Sequence, residues 1–170
     1  SPGWLAGDFN GDSKADIAVI DDGGPTLRLL LGNGDGTFSQ GGSYVLSGYP
    51  VLRAADLNGD GKLDLIILVD YTSISVFLGN GDGTFQPAVT RTPSSSVSEF
   101  ILGDFNRDGK VDVMLAMFTA NTVALLLGTG DGTFGSEVLV MNARTTGMIS
   151  GDFNGDANLD FVVINLKDVP

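Results

Sequence analysis

The chain has 170 residues and a formal net charge of -12, with 21 acidic residues against nine Lys and Arg. It contains neither Cys nor His, which excludes disulfide frameworks, thiol chemistry, ordinary zinc centres and Ser-His-Asp triads. The acidic balance argues against nucleic-acid backbones and anionic membranes as partners, and no apolar run reaches the ~18 residues of a membrane-spanning helix.

In chain order, the first feature is an acidic loop, Asp8-Phe-Asn10-Gly-Asp12-Ser-Lys14-Ala-Asp16. Two apolar runs follow, Ile17 to Ile20 and Leu27 to Leu31. The second ends in a Gly-rich turn, Leu31-Gly-Asn-Gly-Asp-Gly-Thr-Phe38, and an extended stretch lies around Tyr44 to Leu46. The series then returns. The loop Asp56-Leu-Asn58-Gly-Asp60-Gly-Lys62-Leu-Asp64 precedes Leu65 to Val69, Ile74 to Leu78, the turn Leu78 to Phe85, and Ala88 to Arg91. In the third copy an extended stretch, Ser98 to Gly103, leads into Asp104-Phe-Asn106-Arg-Asp108-Gly-Lys110-Val-Asp112. Then come Val113 to Met117, Val123 to Leu127, the turn Leu127 to Phe134, and Val138 to Met141. The fourth copy holds Asp152-Phe-Asn154-Gly-Asp156-Ala-Asn158-Leu-Asp160 and the run Phe161 to Ile164. The first aspartates stand at 8, 56, 104 and 152, a period of 48 residues each time.

The apolar runs are too short for helices and are bounded by Gly, so they predict strands. Those after the acidic loops are nearly continuous in apolarity, which predicts burial on both faces. The Asn-Gly and Asp-Gly pairs supply the positive φ angles of tight turns. One repeat is therefore four strands: A enters the acidic loop, B leaves it, C ends at the Gly-rich turn, and D follows. A four-stranded meander at a period of ~40 to 50 residues is the pattern of a β-propeller blade. The reading is all-β, a single repeat domain over 1–170 with blades 1–48, 49–96 and 97–144 and a half-blade 145–170, an incomplete ring.

The loops carry the chemistry. Twelve of the 21 acids lie in them, three per loop, and the other nine balance the Lys and Arg. Oxygen side chains at loop positions 1, 3, 5 and 9 wrap a short turn in the manner that suits a hard cation such as calcium. Carboxylates ~5 Å apart repel by roughly 1 kcal/mol in water and more near a protein surface, so the loops call for a counter-ion. An EF-hand loop needs a Glu at position 12 and flanking helices. Position 12 here is Val19, Ile67, Leu115 and Val163, inside predicted strands, and a dockerin-like reading fails in the same way.

The acidic loop, a strand and then the Gly-rich turn together resemble FG-GAP and VCBS-type repeats, the family that includes the propeller of integrin α-subunits. The resemblance covers essentially the whole chain. It implies calcium in the hairpin between the first two strands of each blade, up to four ions. The implied side-chain ligands are Asp8, Asn10, Asp12 and Asp16; Asp56, Asn58, Asp60 and Asp64; Asp104, Asn106, Asp108 and Asp112; and Asp152, Asn154, Asp156 and Asp160. The backbone carbonyls of Lys14, Lys62, Lys110 and Asn158, at position 7, are expected to add one each. Position 6 is glycine in the second and third loops but Ser13 and Ala157 in the first and fourth. A Cβ at that turn costs roughly 1 kcal/mol, so the second and third loops are expected to bind best.

The expected function is a non-catalytic, extracellular calcium-binding module for assembly or adhesion. The half-blade predicts self-association, head-to-tail into a ring or filament, or completion by the rest of a longer propeller. No membrane insertion is expected. The start at Ser1-Pro2 without Met predicts a processed or trimmed product, and no signal peptide is visible. The alternative is a carbohydrate-binding propeller, with Trp4, Tyr44, Tyr49 and Tyr71 as stacking candidates. A glycosidase needs two carboxylates straddling a sugar bond. Outside loops and turns only Asp21, Asp22, Asp70, Glu99, Glu137 and Asp168 remain, scattered over different repeats, so no catalysis is expected.

Overall fold

The computed structural model describes residues 3–21, 25–48 and 50–165; Asp22, Tyr49 and Asp168 lie outside the described residues. Among these, every regular element is a strand. Sheet one runs β1 (Trp4–Gly7), β2 (Asp16–Asp21), β3 (Thr26–Gly32), β4 (Phe38–Val45). Sheet two runs β5 (Val51–Ala55), β6 (Asp64–Val69), β7 (Ser73–Phe77), β8 (Val89–Arg91). Sheet three runs β9 (Val97–Gly103), β10 (Asp112–Met117), β11 (Thr122–Gly128), β12 (Phe134–Asn142). Sheet four is the pair β13 (Thr145–Gly151) and β14 (Asp160–Asn165). All neighbours are antiparallel and follow chain order, so each sheet is the up-and-down meander of a propeller-type blade.

The chain gathers into two compact units, Ser1–Thr92 and Pro93–Pro170. The first contains sheets one and two, the second sheets three and four. Period-two alternation decides the packing in each. In unit one, Leu65 and Ile67 on β6 meet Ala18, Leu27 and Leu29 of sheet one, and Phe9, Phe77 and Phe85 close the cluster. In unit two, Met114 and Ala116 on β10 meet Met148 on β13, with Phe161 and Val163 of β14 beside them. Glu99 on β9 accepts a hydrogen bond from the Met148 amide at 3.0 Å and so ties sheet three to sheet four.

Burial on both faces holds for β6 and β10. It does not hold for β2, which alternates between buried and half-buried positions, or for β14, where Val162 and Ile164 are exposed. Strand D also differs. In sheets one and three it starts at the turn phenylalanine, Phe38 or Phe134, several residues before the sequence predicts. In sheet two it is only Val89–Arg91, with an isolated bridge between Gly79 and Phe85. Pro87 lies between them, and a proline cannot donate to the ladder.

Within each unit one repeat interlocks with the next. The residue before the last loop aspartate packs onto the glycine before the first aspartate of the preceding loop. A Cβ on Gly7 would lie 2.5 Å from Leu63 Cδ1, and one on Gly103 2.1 Å from Leu159 Cδ2. Gly103→Ala is expected to cost about 1–3 kcal/mol by overpacking. Adding Leu159→Ala is expected to recover part of that loss in a double-mutant cycle read by urea denaturation. Additive losses would mean that the two residues are not in contact.

Candidate metal centre

Each acidic loop folds its side chains inward over its own backbone. In loop one, Asp8 accepts from the amides of Gly11 (2.7 Å), Asp12 (3.2 Å) and Ser13 (2.7 Å). Asn10 accepts from Asp12 (3.0 Å) and Asp12 from Lys14 (2.9 Å). The pattern repeats on Asp56, Asn58 and Asp60 and on Asp152, Asn154 and Asp156, and in the third loop Asp104, Asn106 and Asp108 accept from the amides of Asp108, Gly109 and Lys110. Short polar side chains that bond the amides two to five residues on are what let so tight a turn form.

These donors favour the ionised state. The Lys14 amide holds Asp12 below the usual carboxylate range and the Lys62 amide does so for Asp60. The Asn106 side chain does the same for Asp108, the Ala157 amide for Asp152 and the Asn158 side chain for Asp156. The sequence reading gave position 7 only a carbonyl role. In addition, the Lys14 ammonium folds back to 3.1 Å from Asp12, and that of Lys62 to 3.6 Å from Asp60. Such exposed pairs contribute about 0–1 kcal/mol and leave most of the loop charge uncompensated. Among the described residues no three acidic side chains form a ready-made metal cage. The donor set nonetheless suits a hard cation: it is all oxygen, from carboxylates and the Asn side chain, and a carboxylate oxygen that accepts a single amide retains a second lone pair.

Position 9 stands apart. Asp16, Asp64 and Asp112 are fully buried. One oxygen of each accepts from the position-2 amide, of Phe9 (2.8 Å), Leu57 (2.8 Å) or Phe105 (2.9 Å). The other accepts from the first glycine of the Gly-rich turn, Gly32 (2.8 Å), Gly79 (2.7 Å) or Gly128 (2.9 Å). The carboxylate is thus a latch between the A–B loop and the C–D turn of its blade. Burial pushes the Asp64 carboxyl up, and the charges of Asp60 and Asp56 add to that. Asp160 has the first partner, the Phe153 amide at 3.1 Å.

Backbone strain also separates the loops. Positions 4 and 6 both take positive φ. Loop two meets this with Gly59 and Gly61 (φ 75° and 80°). Loops one and four place Ser13 and Ala157 at position 6 (64° and 63°), and loop three places Arg107 at position 4 (66°). Sequence reasoning weighed position 6 alone and so rated loop three equal to loop two; on this geometry loop two is the one free of the cost. Ala157→Gly is expected to stabilise the chain by about 1 kcal/mol, read as a raised urea midpoint. An unchanged midpoint would remove the strain argument.

The Gly-rich turns are held by their own residues. Asp35, Asp82 and Asp131 each bond the threonine two residues on. The Thr129 and Thr133 hydroxyls lower the Asp131 carboxyl to about 2. Of the sugar-stacking candidates, Tyr44 is a core residue: its ring packs edge-on against Phe77 and Phe85, and its hydroxyl accepts from the Phe85 amide at 2.6 Å. Trp4 and Tyr71 are exposed. Among the remaining carboxylates, Asp21 pairs with Arg28 at 3.4 Å, Asp70 forms a β6–β7 turn with Tyr71 at positive φ, and Glu137 accepts from Ser94.

The chain resembles a solved structure of an Agrocybe aegerita lectin described as specifically recognising non-reducing terminal N-acetylglucosamine. The TM-score is 0.64 at 24% identity, over 95% of this chain and 42% of that one. At this identity the likeness is one of fold, and the present chain spans less than half of the lectin's length. No curated protein sequence matches. A family model described as FG-GAP-like repeat matches three times in overlapping register, over residues 8–67, 56–115 and 104–163. Each match starts at the first aspartate of an acidic loop and runs through the next loop into its strand B, so the chain belongs to the FG-GAP-like repeat family.

Proposed function

We propose that this chain is a non-catalytic, extracellular repeat module whose acidic loops take up calcium and whose blades serve assembly or adhesion. The carrying observation is the fourfold loop itself. Carboxylates at positions 1 and 5 and the Asn side-chain oxygen at position 3 are gathered over the loop amides, and among the described residues the Lys14 and Lys62 pairs leave most of that charge unbalanced. Positions 1, 3, 5 and 9 and the position-7 carbonyl would hold the ion. It supplies positive charge that relieves the repulsion and couples folding to the calcium level. Loops of this kind work where calcium is millimolar, outside the cell. Assembly rests on β14, which among the described residues pairs with β13 on one side and exposes Val162 and Ile164. An edge of this sort accepts a further strand. Titration calorimetry tests the metal reading: calcium uptake at up to four sites, with magnesium weaker because it demands stricter octahedral geometry. No uptake at millimolar calcium would overturn it.

A second reading is glycan binding. It is supported by the lectin of similar fold and by Tyr71, an exposed aromatic held at φ 61° on a turn, the sort of outlier that points to a functional hypothesis. A glycan array with wild type, Tyr71→Ala and Trp4→Ala tests it. Absence of any wild-type signal sinks this reading and leaves the first untouched.

A further inference from the structure

Five asparagines precede glycine: Asn10, Asn58 and Asn154 at position 3 of acidic loops, and Asn33 and Asn80 in the Gly-rich turns. An asparagine before glycine carries its own reaction. The glycine amide nitrogen attacks the side-chain carbonyl carbon and closes a five-membered succinimide. The bond from that carbon to Nδ2 breaks, and Nδ2 takes up the amide proton and leaves as ammonia. Water then opens the ring at either carbonyl, giving aspartate or isoaspartate, whose main chain is longer by one methylene. Glycine permits the attack because no Cβ crowds the nitrogen. Water is the sole co-reactant, so local geometry decides which asparagine reacts.

That geometry divides the five into two groups. In the acidic loops the attacking nitrogen is engaged: the Gly11, Gly59 and Gly155 amides each donate to the position-1 carboxylate at 2.7 Å. The side chain is pinned as well, because Oδ1 of Asn10, Asn58 and Asn154 accepts from the position-5 amide at 3.0, 3.0 and 2.9 Å. A hydrogen bond to a carboxylate is of the strong, charge-assisted kind, and it must be given up before the nitrogen can lose its proton. In the turns, the Gly34 and Gly81 amides have no acceptor among the described residues. Asn33 and Asn80 are both exposed. Each is held only through Nδ2, which donates to Thr37 Oγ1 at 2.8 Å or Thr84 Oγ1 at 2.9 Å. The third turn has Thr129 in the asparagine's place and has no such reaction.

We infer that Asn33 and Asn80 are sites of spontaneous deamidation, that the loop asparagines are protected by their own hydrogen bonds, and that conversion at Asn80 loosens unit one. Gly79, the residue before Asn80, donates to the buried Asp64 latch at 2.7 Å. Gly83, three residues after it, donates to the Phe9 carbonyl on the first acidic loop at 3.0 Å. An isoaspartate at 80 inserts a methylene between these two fixed amides. Either product also replaces the donor to Thr84 by a carboxylate, beside a hydroxyl that already donates to Asp82. The turn is thereby eased off both the latch and the loop it sits on, while position 3 of each acidic loop keeps its neutral oxygen.

The test incubates the folded chain in calcium at mildly alkaline pH, and the same chain in urea. Peptide mapping by mass, with enzymatic methylation of isoaspartate, follows each site. In urea all five asparagines are expected to convert at similar rates. In the folded chain Asn33 and Asn80 are expected to convert, and Asn10, Asn58 and Asn154 to do so at least about tenfold more slowly. Asn80→Thr, which copies Thr129, is expected to lose less melting temperature over the incubation than wild type. Loop asparagines that convert as fast as those of the turns would overturn the inference. So would a folded chain that keeps both turn asparagines while the urea sample converts. A melting temperature that falls equally in wild type and Asn80→Thr would show that the modification at 80 does not loosen the unit.

Discussion

Asp64→Ala is expected to destabilise the chain by about 2–6 kcal/mol. The substitution leaves the Leu57 and Gly79 amides without their acceptor, and each buried orphan donor costs about 1–3 kcal/mol. A domain of ordinary stability has only about 5–15 kcal/mol in total, so the variant stands near the threshold of folding. Asp160→Ala is the internal control: that residue is half-exposed and has only the Phe153 amide to lose, so its cost is expected to be smaller. Burial raises the Asp64 carboxyl above its unfolded value. Its contribution is then full below the unfolded pKa of about 3.9 and diminishes as pH rises through the raised folded value. In calcium-free buffer, the gap between wild type and Asp64→Ala is expected to narrow as pH rises through that range. Urea denaturation at several pH values reads both effects. A loss below that of Asp160→Ala, or a gap that widens with pH, would remove the latch.

Why the sequence shows the loops but not the latch follows from distance along the chain. The 48-residue period, the short apolar runs bounded by glycine and the paired glycines are local or recurrent patterns, and they define the four-stranded blades. The partners of Asp64 are not local: Leu57 lies seven residues back and Gly79 fifteen on, across a whole hairpin. One signal does exist. The glycine that opens each Gly-rich turn has no room for a side chain: a Cβ on Gly32, Gly79 or Gly128 would lie 2.2 to 2.3 Å from the carbonyl oxygen of Ala15, Leu63 or Val111, the residue before the latch aspartate. Its recurrence 15 or 16 residues after position 9 marks a close approach of two backbones, not only a turn. Tyr44 is a similar case. Its partner Phe85 lies 41 residues away, so its aromatic ring reads equally as a sugar platform or as core until the sheets are packed. Position 4 was within reach of a local argument, because Gly11, Gly59 and Gly155 repeat there and Arg107 breaks the series.

Exhaustive chelation is expected to lower the melting temperature, and calcium to restore it better than magnesium. A ligand that binds only the folded state at a hundred times its Kd stabilises by about 2.7 kcal/mol per site. At about 2–4 °C per kcal/mol for a chain of this size, even one such site shifts melting by about 5–10 °C. The loops are not equivalent. Loop two has glycine at both positive-φ positions, whereas Ser13, Arg107 and Ala157 strain the other three by about 1 kcal/mol each. Strain that binding must hold in place comes out of the affinity. Asp60→Ala is therefore expected to remove more of the calcium-dependent shift than Asp12→Ala, Asp108→Ala or Asp156→Ala. Arg107→Gly in turn is expected to bring the third loop up to the second. Equal shifts from all four aspartate variants would show that backbone strain does not set the order. A melt unchanged by chelation would remove calcium from the fold altogether, and the inward-folded carboxylates would then serve only the turns they bond.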